Sequence, residues 1–365
     1  MLNASRKKVS VSGRFLRASQ PTGTQRSARA LLKATLKALC SDVVLCGLSD
    51  NKTFRVQEVR PVRFRNALFD HLWEQGVFPF LPNTSVLWTL MGTGPVFHPG
   101  KLHVMVVHDL NYEILPNIFG RAFRTWYRFA CGVAAQRAEV LVCFTDYVRR
   151  SIQARLKISP ERIRVIPQGP GLGGLDRPLE IPAAESPERP YFLCVGSLQP
   201  HKNLAGVLAA WDFFRQRHVN YSLKVVGRAQ DNFAALGLDF SKLPPDVEFT
   251  GYINDDDLID LYRGATGFLY PSTEEGFGLP VVEAFYCGCP VITSNRSCLP
   301  EVAGDAAILV NPHAPQKLAE AMSRLVETPG LRGQCKARGF ERARNFSWDN
   351  AGRQMAAILE EANRR

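Results

Sequence analysis

No run of apolar residues in this sequence approaches the roughly twenty needed to span a bilayer, so a transmembrane helix is not expected. A secretory signal is not expected either, because Met1 to Gln20 is basic and has no apolar core segment. The nine cysteines include no Cys-x-x-Cys pair. Cys287 and Cys289 stand one residue apart, which suits neither a zinc knuckle nor a redox motif. Cysteines scattered among apolar neighbours fit a reducing cytoplasm. Acidic residues are missing from the beginning of the chain: none precedes Asp42, whereas nine lysines and arginines lie between Arg6 and Lys37. A second basic run spans Arg121 to Arg164, and the formal net charge is +11. Such a balance fits nucleic acid, anionic lipid or a phosphorylated small molecule as partner, against a merely solvated face. Nucleic acid is set aside, because no aromatics interleave with the charge on a recognisable module.

At 365 residues the chain exceeds one ordinary core, and two domains are expected. Val9 to Leu16 reads as a strand, Ala18 to Thr24 as a turn-rich loop holding Gly23, and Gln25 to Cys40 as a helix. That order can offer backbone N–H groups to a phosphate. Short strands follow at Val43–Leu48, Val86–Leu90 and Lys101–Val107, the last ending in His108-Asp109 at the carboxyl edge of a sheet. Arg121 to Arg137 is amphipathic, with Phe123, Trp126, Tyr127, Ala130, Val133 and Ala134 as the stripe expected to pack on the core. Val140–Phe144 and Arg164–Ile166 read as further strands. Gln168 to Pro190 is rich in glycine and proline and breaks the pattern. The alternation then restarts with strand Tyr191–Val195, loop Gly196–Asn203 and helix Leu204–Gln216. Strands Ser222–Val226 and Val247–Thr250 follow, ending at Gly227 and Gly251, and Asn254 is placed to cap a helix over Asp255–Arg263. Two alternating blocks joined by one Gly/Pro-rich crossing predict an α/β protein of two Rossmann-like β/α/β domains facing across a cleft. The domains are expected at 1–168 and 191–346, with a linker at 169–190 and a terminal helix at 347–365 crossing back to the first domain.

The densest stretch runs from Phe268 to Thr293. Strand Phe268–Pro271 leads into a loop through Glu275, Gly276 and Gly278, and a helix starts at Pro280, where a missing N–H costs nothing. Gly288 ends that helix and Pro290–Thr293 begins another strand. Glu275 and Glu283 bracket the loop with seven residues between them. In an open parallel sheet, such a loop faces the ligand crevice at the carboxyl ends of the strands. Asp255-Asp-Asp257 opens a helix and reads as N-terminal dipole charge rather than as a metal site.

Glu275-Gly-Phe-Gly-Leu-Pro-Val-Val-Glu283 resembles the E-x7-E signature of family 4 glycosyltransferases (glycosyl transferases group 1), retaining enzymes of GT-B fold. Tyr270-Pro-Ser, Gly288-Cys-Pro-Val-Ile, Ser294-Asn and Leu299-Pro-Glu-Val-Ala-Gly-Asp305 follow the family's order. Val195-Gly-Ser-Leu-Gln-Pro-His-Lys-Asn-Leu204 is similar to its phosphate-binding lysine loop. Thr22-Gly-Thr-Gln-Arg26, Val107-His-Asp-Leu110 and Pro167-Gln-Gly169 resemble its amino-terminal landmarks.

The resemblance implies a catalytic set of His108, Lys202 and Glu275. It implies donor contacts from Gly23, Asp109, Gly196, Ser197, His201, Gly227, Gly251, Gly276, Phe277, Gly278 and Leu279. Glu283 is implied to hold the nucleotide ribose, Glu275 the donor sugar, Lys202 the departing diphosphate and His108 the donor hydroxymethyl group. The commonest family loop has arginine where this chain has Ser197, and a subset has it where this chain has His201. The second positive charge therefore falls to His201, to Arg26 or to backbone N–H groups at Gly23. Transfer is expected to proceed with retention, without metal or other cofactor, from a GDP-, dTDP- or UDP-linked sugar, with mannose or rhamnose favoured. The implied acceptor is a polysaccharide or lipid-linked glycan, at the cytoplasmic face of an anionic membrane. A sugar-nucleotide 2-epimerase and a nucleotide-sugar-binding protein without turnover are the alternatives of the same architecture.

Overall fold

The computed structural model describes residues 8–17, 21–47, 58–61, 67–116, 118, 120–175, 188–196, 199–227 and 243–365. The expected Ser197 contact lies outside them. The chain divides into two compact units, Met1–Gln168 with Trp348–Arg365, and Gly169–Ser347.

In the first unit the strands are β1 (Lys8–Ser12), β2 (Val43–Gly47), β3 (Glu58–Pro61), β4 (Thr84–Thr89), β5 (Leu102–Val106), β6 (Val140–Cys143) and β7 (Ile163–Val165). They form one parallel sheet in the order β3-β2-β1-β4-β5-β6-β7. The helices are α1 (Gly23–Ala38), α2 (Ala67–Gly76), α3 (Asn111–Ile114), α4 (Arg121–Arg137) and α5 (Asp146–Leu156). α1 starts two residues earlier than its apolar spacing indicated, because Thr22 and Gln25 close a capping box: Thr22 N–H donates to Gln25 Oε1 at 2.9 Å.

The terminal helix, α12 (Trp348–Arg364), packs along α1 in this unit. The contact is close because Gly352 has no Cβ; one placed there would lie 2.5 Å from the Ala34 carbonyl carbon.

Of the stripe expected on α4, Ala130 and Ala134 are buried and Tyr127 packs against the core, while the side chain of Phe123 lies outside the described residues. The buried face of α4 is Ala130, Cys131, Ala134 and Ala135, and Trp126 stands 40% exposed instead of packing on the core. α2 was not foreseen, because its pattern is inverted: Leu68, Phe69 and Leu72 face outward while Asp70, His71 and Glu74 are buried.

The second unit holds β8 (Tyr191–Val195), β9 (Ser222–Val226), β10 (Val247–Gly251), β11 (Gly267–Tyr270), β12 (Val291–Ser294) and β13 (Ala307–Val310). They also form a parallel sheet, in the order β10-β9-β8-β11-β12-β13. Its helices are α6 (Leu204–Arg215), α7 (Asp255–Gly264), α8 (Leu279–Tyr286), α9 (Leu299–Ala303), α10 (Pro315–Glu327) and α11 (Leu331–Ala343), and α12 is Trp348–Arg364. Phe192, Trp211, Phe214, Leu269, Ile292 and Met322 centre a core between the sheet and α6 and α10. Asn254 caps α7, its Oδ1 accepting from Asp257 N–H at 2.9 Å. In both sheets the strand order reverses beside the first strand, next to β4 in one and next to β11 in the other. These switch points are where open α/β sheets form ligand crevices.

Candidate active site

Two loops flank the switch point of the second sheet. The first leaves β8 through Gly196 and makes a single 3₁₀ turn, Pro200–Lys202, before Asn203 starts α6 from a left-handed conformation (φ 59°). The second leaves β11 at Pro271 and reaches α8 through Glu275–Gly278. They are stitched together by short bonds. Thr273 N–H donates to the His201 carbonyl at 2.8 Å, and Asn203 Nδ2 donates to the carbonyls of Pro271 at 3.1 Å and Pro312 at 2.7 Å. This fixes the end of the lysine side chain against the second loop.

Lys202 Nζ then donates to Glu275 Oε1 at 2.6 Å and to the Tyr270 hydroxyl at 2.9 Å. That hydroxyl donates in turn to Glu275 Oε1 at 2.7 Å, closing a three-membered cycle. Burial alone would push the Glu275 carboxyl up. The Lys202 charge and hydrogen bond, with that of Tyr270, outweigh it and hold the carboxyl below the ordinary range. Burial, then the Glu275 charge, pushes the Tyr270 phenol well up, so it stays a neutral donor. The lysine and glutamate side chains are 20% and 10% exposed, so this ion pair sits in a wall rather than in solvent.

α8 opens beside this cycle. Gly278 takes φ 89°, and a Cβ there would lie 2.7 Å from Leu299 Cδ2, so glycine is required twice over. The first N–H groups of α8 have no partner within the helix, and with the helix dipole they favour an anion. Phe277 is buried edge-on against Phe346, with ring centres 5.6 Å apart. Only its backbone is left for the donor contact assigned to it.

Glu283 lies in the second turn of α8, not at its start, so a helix-dipole role does not account for it. Its Oε1 accepts from Gly171 N–H at 3.1 Å and its Oε2 from the Tyr262 hydroxyl at 3.4 Å. The two glutamates of the signature therefore stand in separate hydrogen-bond groups. Gly196, Gly227 and Gly251 end β8, β9 and β10 at the same carboxyl edge, with Gly196 N–H bonded to the Val226 carbonyl and Gly227 N–H to that of Gly251, each at 3.0 Å. His201 is buried, and burial followed by the Lys202 charge lowers its pKa to about 4. It is neutral at pH 7, which argues against His201 among the three candidates for the second positive charge.

In the first unit His108 follows β5. Its Nε2 bonds to the Leu90 carbonyl at 2.8 Å, and burial lowers its pKa to about 4 against the pull of that carbonyl. The ring is neutral, and Nδ1 is its remaining acceptor. Asp109 Oδ1 accepts from Asn111 N–H at 2.9 Å and shapes the turn into α3. Gly23 is the first residue of α1, where the capping box occupies the Gln25 N–H.

Sequence reasoning quoted Tyr270 within a motif but gave it no task. Its position five residues before Glu275, at a strand end, was the available signal. Among the described residues no group of three or more potential ligands could hold a metal ion, and no helix is long and apolar enough to cross a membrane.

The family described as "Glycosyl transferases group 1" matches residues 177–342, the stretch that carries this lysine and glutamate geometry. That stretch, in the carboxyl-terminal half of the chain, is similar to the group 1 glycosyltransferases. Its relatives include the O-antigen chain mannosyltransferase B of Escherichia coli, 28% identical over 272 residues, which are 72% of this chain and 71% of the relative. They also include the serotype-specific mannosyltransferase WbdA of Escherichia coli, 31% identical over 165 residues; the match takes in 44% of this chain and only 20% of that much longer relative. Among solved structures, HepE of Anabaena in complex with UDP and glucose superposes with a TM-score of 0.73 at 17% identity, over 97% of this chain and 100% of that one. Such a likeness identifies the fold, and this chain has the two-domain α/β architecture called GT-B.

Proposed function

We propose that the chain transfers mannose from GDP-mannose to a hydroxyl of a growing polysaccharide or lipid-linked glycan, with retention at the anomeric carbon. The observation that carries this reading is the Lys202–Glu275–Tyr270 cycle at the mouth of α8. The mannosyl preference is supported by the O-antigen chain mannosyltransferase B at 28% identity. As the glycosidic bond to the nucleotide breaks, negative charge grows on the departing diphosphate. Lys202 and the α8 N-terminus are fixed, positive and adjacent, so they stabilise that charge without reorganising. In this reading the diphosphate takes Lys202 over from Glu275, which is then free to accept hydroxyls of the donor sugar. The acceptor hydroxyl attacks from the face that the diphosphate leaves, and its proton passes to the departing diphosphate oxygen as the old glycosidic bond breaks. Because Lys202 and the helix amides supply the charge, transfer without a divalent cation is part of the proposal. So is a peripheral position on the anionic inner face of the cell membrane, drawn by the basic amino-terminal segment; flotation with neutral and anionic vesicles at low salt tests it, and equal flotation would remove it.

The main test is calorimetry of the purified chain with GDP, UDP, dTDP, GDP-mannose and UDP-glucose. GDP-mannose is expected to bind best, and Lys202→Met to weaken it by about tenfold or more. Transfer is expected to survive EDTA and to yield the α-linked product. No nucleotide binding at all, or a β-linked product, would sink the reading.

A further inference from the structure

The loop that leaves β12, residues 295–298, runs beside the mouth of α8 at the carboxyl edge of the second sheet. Thr293 of β12 is in register with Tyr270 of β11, and its Oγ1 donates to the Tyr270 carbonyl at 2.8 Å. Past the far end of the loop stands Leu299, on which Gly278 closes: a Cβ on that glycine would lie 2.7 Å from Leu299 Cδ2. Cys298 is buried within electrostatic reach of Glu275 and Glu274. The sheet order β8-β11-β12 puts the Lys202 loop on one flank of the α8 mouth and this loop on the other.

The loop is pinned by its own backbone. Asn295 N–H donates to the Val310 carbonyl at 2.9 Å, Arg296 N–H to the Ser294 hydroxyl at 3.0 Å, and Leu299 N–H to the Arg296 carbonyl at 3.2 Å. The last bond closes a turn in which Ser297 takes φ 53°, a left-handed value that favours glycine. Strain of this kind persists where the surroundings impose it, and it gathers at ligand sites. The turn leaves donors over. The Ser297 hydroxyl is buried with no hydrogen-bond partner among the described residues. No described residue accepts from the N–H of Ser297 or of Cys298, although buried N–H groups are nearly always paired. Arg296, between these groups and Asn295, is exposed and forms no ion pair among the described residues.

The charges of this edge decide what those donors take. Glu274, Glu275 and Glu283 are 8%, 8% and 5% exposed, and Lys202 is already bonded to one of them. His201 beside it is neutral. A nucleoside diphosphate at the α8 mouth brings negative charge that one ammonium, shared with Glu275, does not offset. Arginine suits that task, because its planar fork meets phosphate oxygens through two parallel N–H groups. An exposed arginine is ordinary by itself; the strained turn and the unpaired donors next to it distinguish this one. We infer that Arg296, with the N–H groups of Ser297 and Cys298, binds the donor's diphosphate from the β12 side and supplies the second positive charge that Ser197 and His201 do not. The identity of the anion rests on the transferase reading above; the donor-rich turn rests on the second unit itself.

The test uses the full chain and four probes at fixed ionic strength: GDP, GMP, inorganic pyrophosphate and GDP-mannose. In calorimetry, Arg296→Gln is expected to weaken GDP and pyrophosphate by about tenfold or more, the effect of one charged hydrogen bond lost. GMP, which lacks the second phosphate, is expected to weaken by no more than about threefold, and its retained binding shows that the variant folds. Thermal melts of Arg296→Gln are expected to match the wild type, because the side chain is exposed. GDP bound equally by the wild type and Arg296→Gln, or GDP and GMP weakened alike, would overturn the assignment. So would a wild type that binds neither GDP nor pyrophosphate. Pyrophosphate binding that needs Arg296, in a chain that transfers no mannose from GDP-mannose, would uphold the anion site and remove the transferase reading.

Discussion

Lys202→Met should separate what the ion pair does for the fold from what the lysine does for the reaction. In the wild type, Glu275 sits 10% exposed, with its Oε1 held by Lys202 at 2.6 Å and Tyr270 at 2.7 Å. Methionine keeps the aliphatic stem and removes the cation, leaving the carboxylate one phenol as partner. Breaking a fully buried pair costs roughly 3–5 kcal/mol. The lysine is 20% exposed and water can reach it, so about 2–3 kcal/mol is the discounted expectation. Denaturant unfolding of the second unit's transition would read it. In the double variant Lys202→Met/Glu275→Gln no buried charge is left, and most of that stability should return. Transfer should not return, because a charged hydrogen bond worth about 1.5–3 kcal/mol to the leaving diphosphate is gone, a loss of roughly 10- to 150-fold. A double variant that regained transfer would mean that Lys202 only balances Glu275, and the leaving-group role would fall. A single variant as stable as the wild type would mean that the pair is not formed.

Gly278→Ala forces φ 89° on a side chain and drives a methyl to 2.7 Å from Leu299, so about 1–3 kcal/mol of stability and most nucleotide binding should be lost; wild-type melting and binding would refute the tight loop. Gly352→Val should separate α12 from α1 by crowding the Ala34 carbonyl, lowering stability by about 1–3 kcal/mol in thermal melts, whereas an unchanged Tm would contradict the close helix contact. His103 and His108 have pKa values lowered to about 3 and about 4, chiefly by burial, as His71 and His201 are to about 4. Between pH 6.5 and about 4 the unfolded chain therefore takes up protons that the folded chain refuses. Stability should be full above pH 6.5 and fall steadily below it. A Tm flat from pH 6.5 to 4.5 would contradict these burials, and His103→Gln should flatten the slope.

Much of the second unit could be read from local sequence. Gly278, Pro280 and Gly288 state a loop, a helix start and a helix stop through backbone chemistry that does not depend on neighbours. The apolar runs Phe268–Tyr270 and Val291–Thr293 state strands buried on both faces. Asn254 likewise announced the start of α7. Helix α2 was illegible for the opposite reason. Its outward leucines and phenylalanine and its inward Asp70, His71 and Glu74 reverse the usual periodicity, and Ser12, Arg14, Arg17 and Thr93, distant in sequence, make that burial tolerable. Trp126 was misplaced on the same ground, since spacing alone cannot tell a core stripe from an exposed one.

The sequence by itself determined two alternating α/β blocks and the residue types of a nucleotide-sugar site, because turns, caps and apolar runs act over a few residues. Tertiary structure decided the pairings. It set Lys202 on Glu275 across 73 positions, brought Tyr270 between them, and gave Glu283 to Gly171 and Tyr262 instead. It also made His201 neutral. Charge state and partnership depend on which distant groups are brought within a few ångströms at low dielectric, and chain spacing does not encode that.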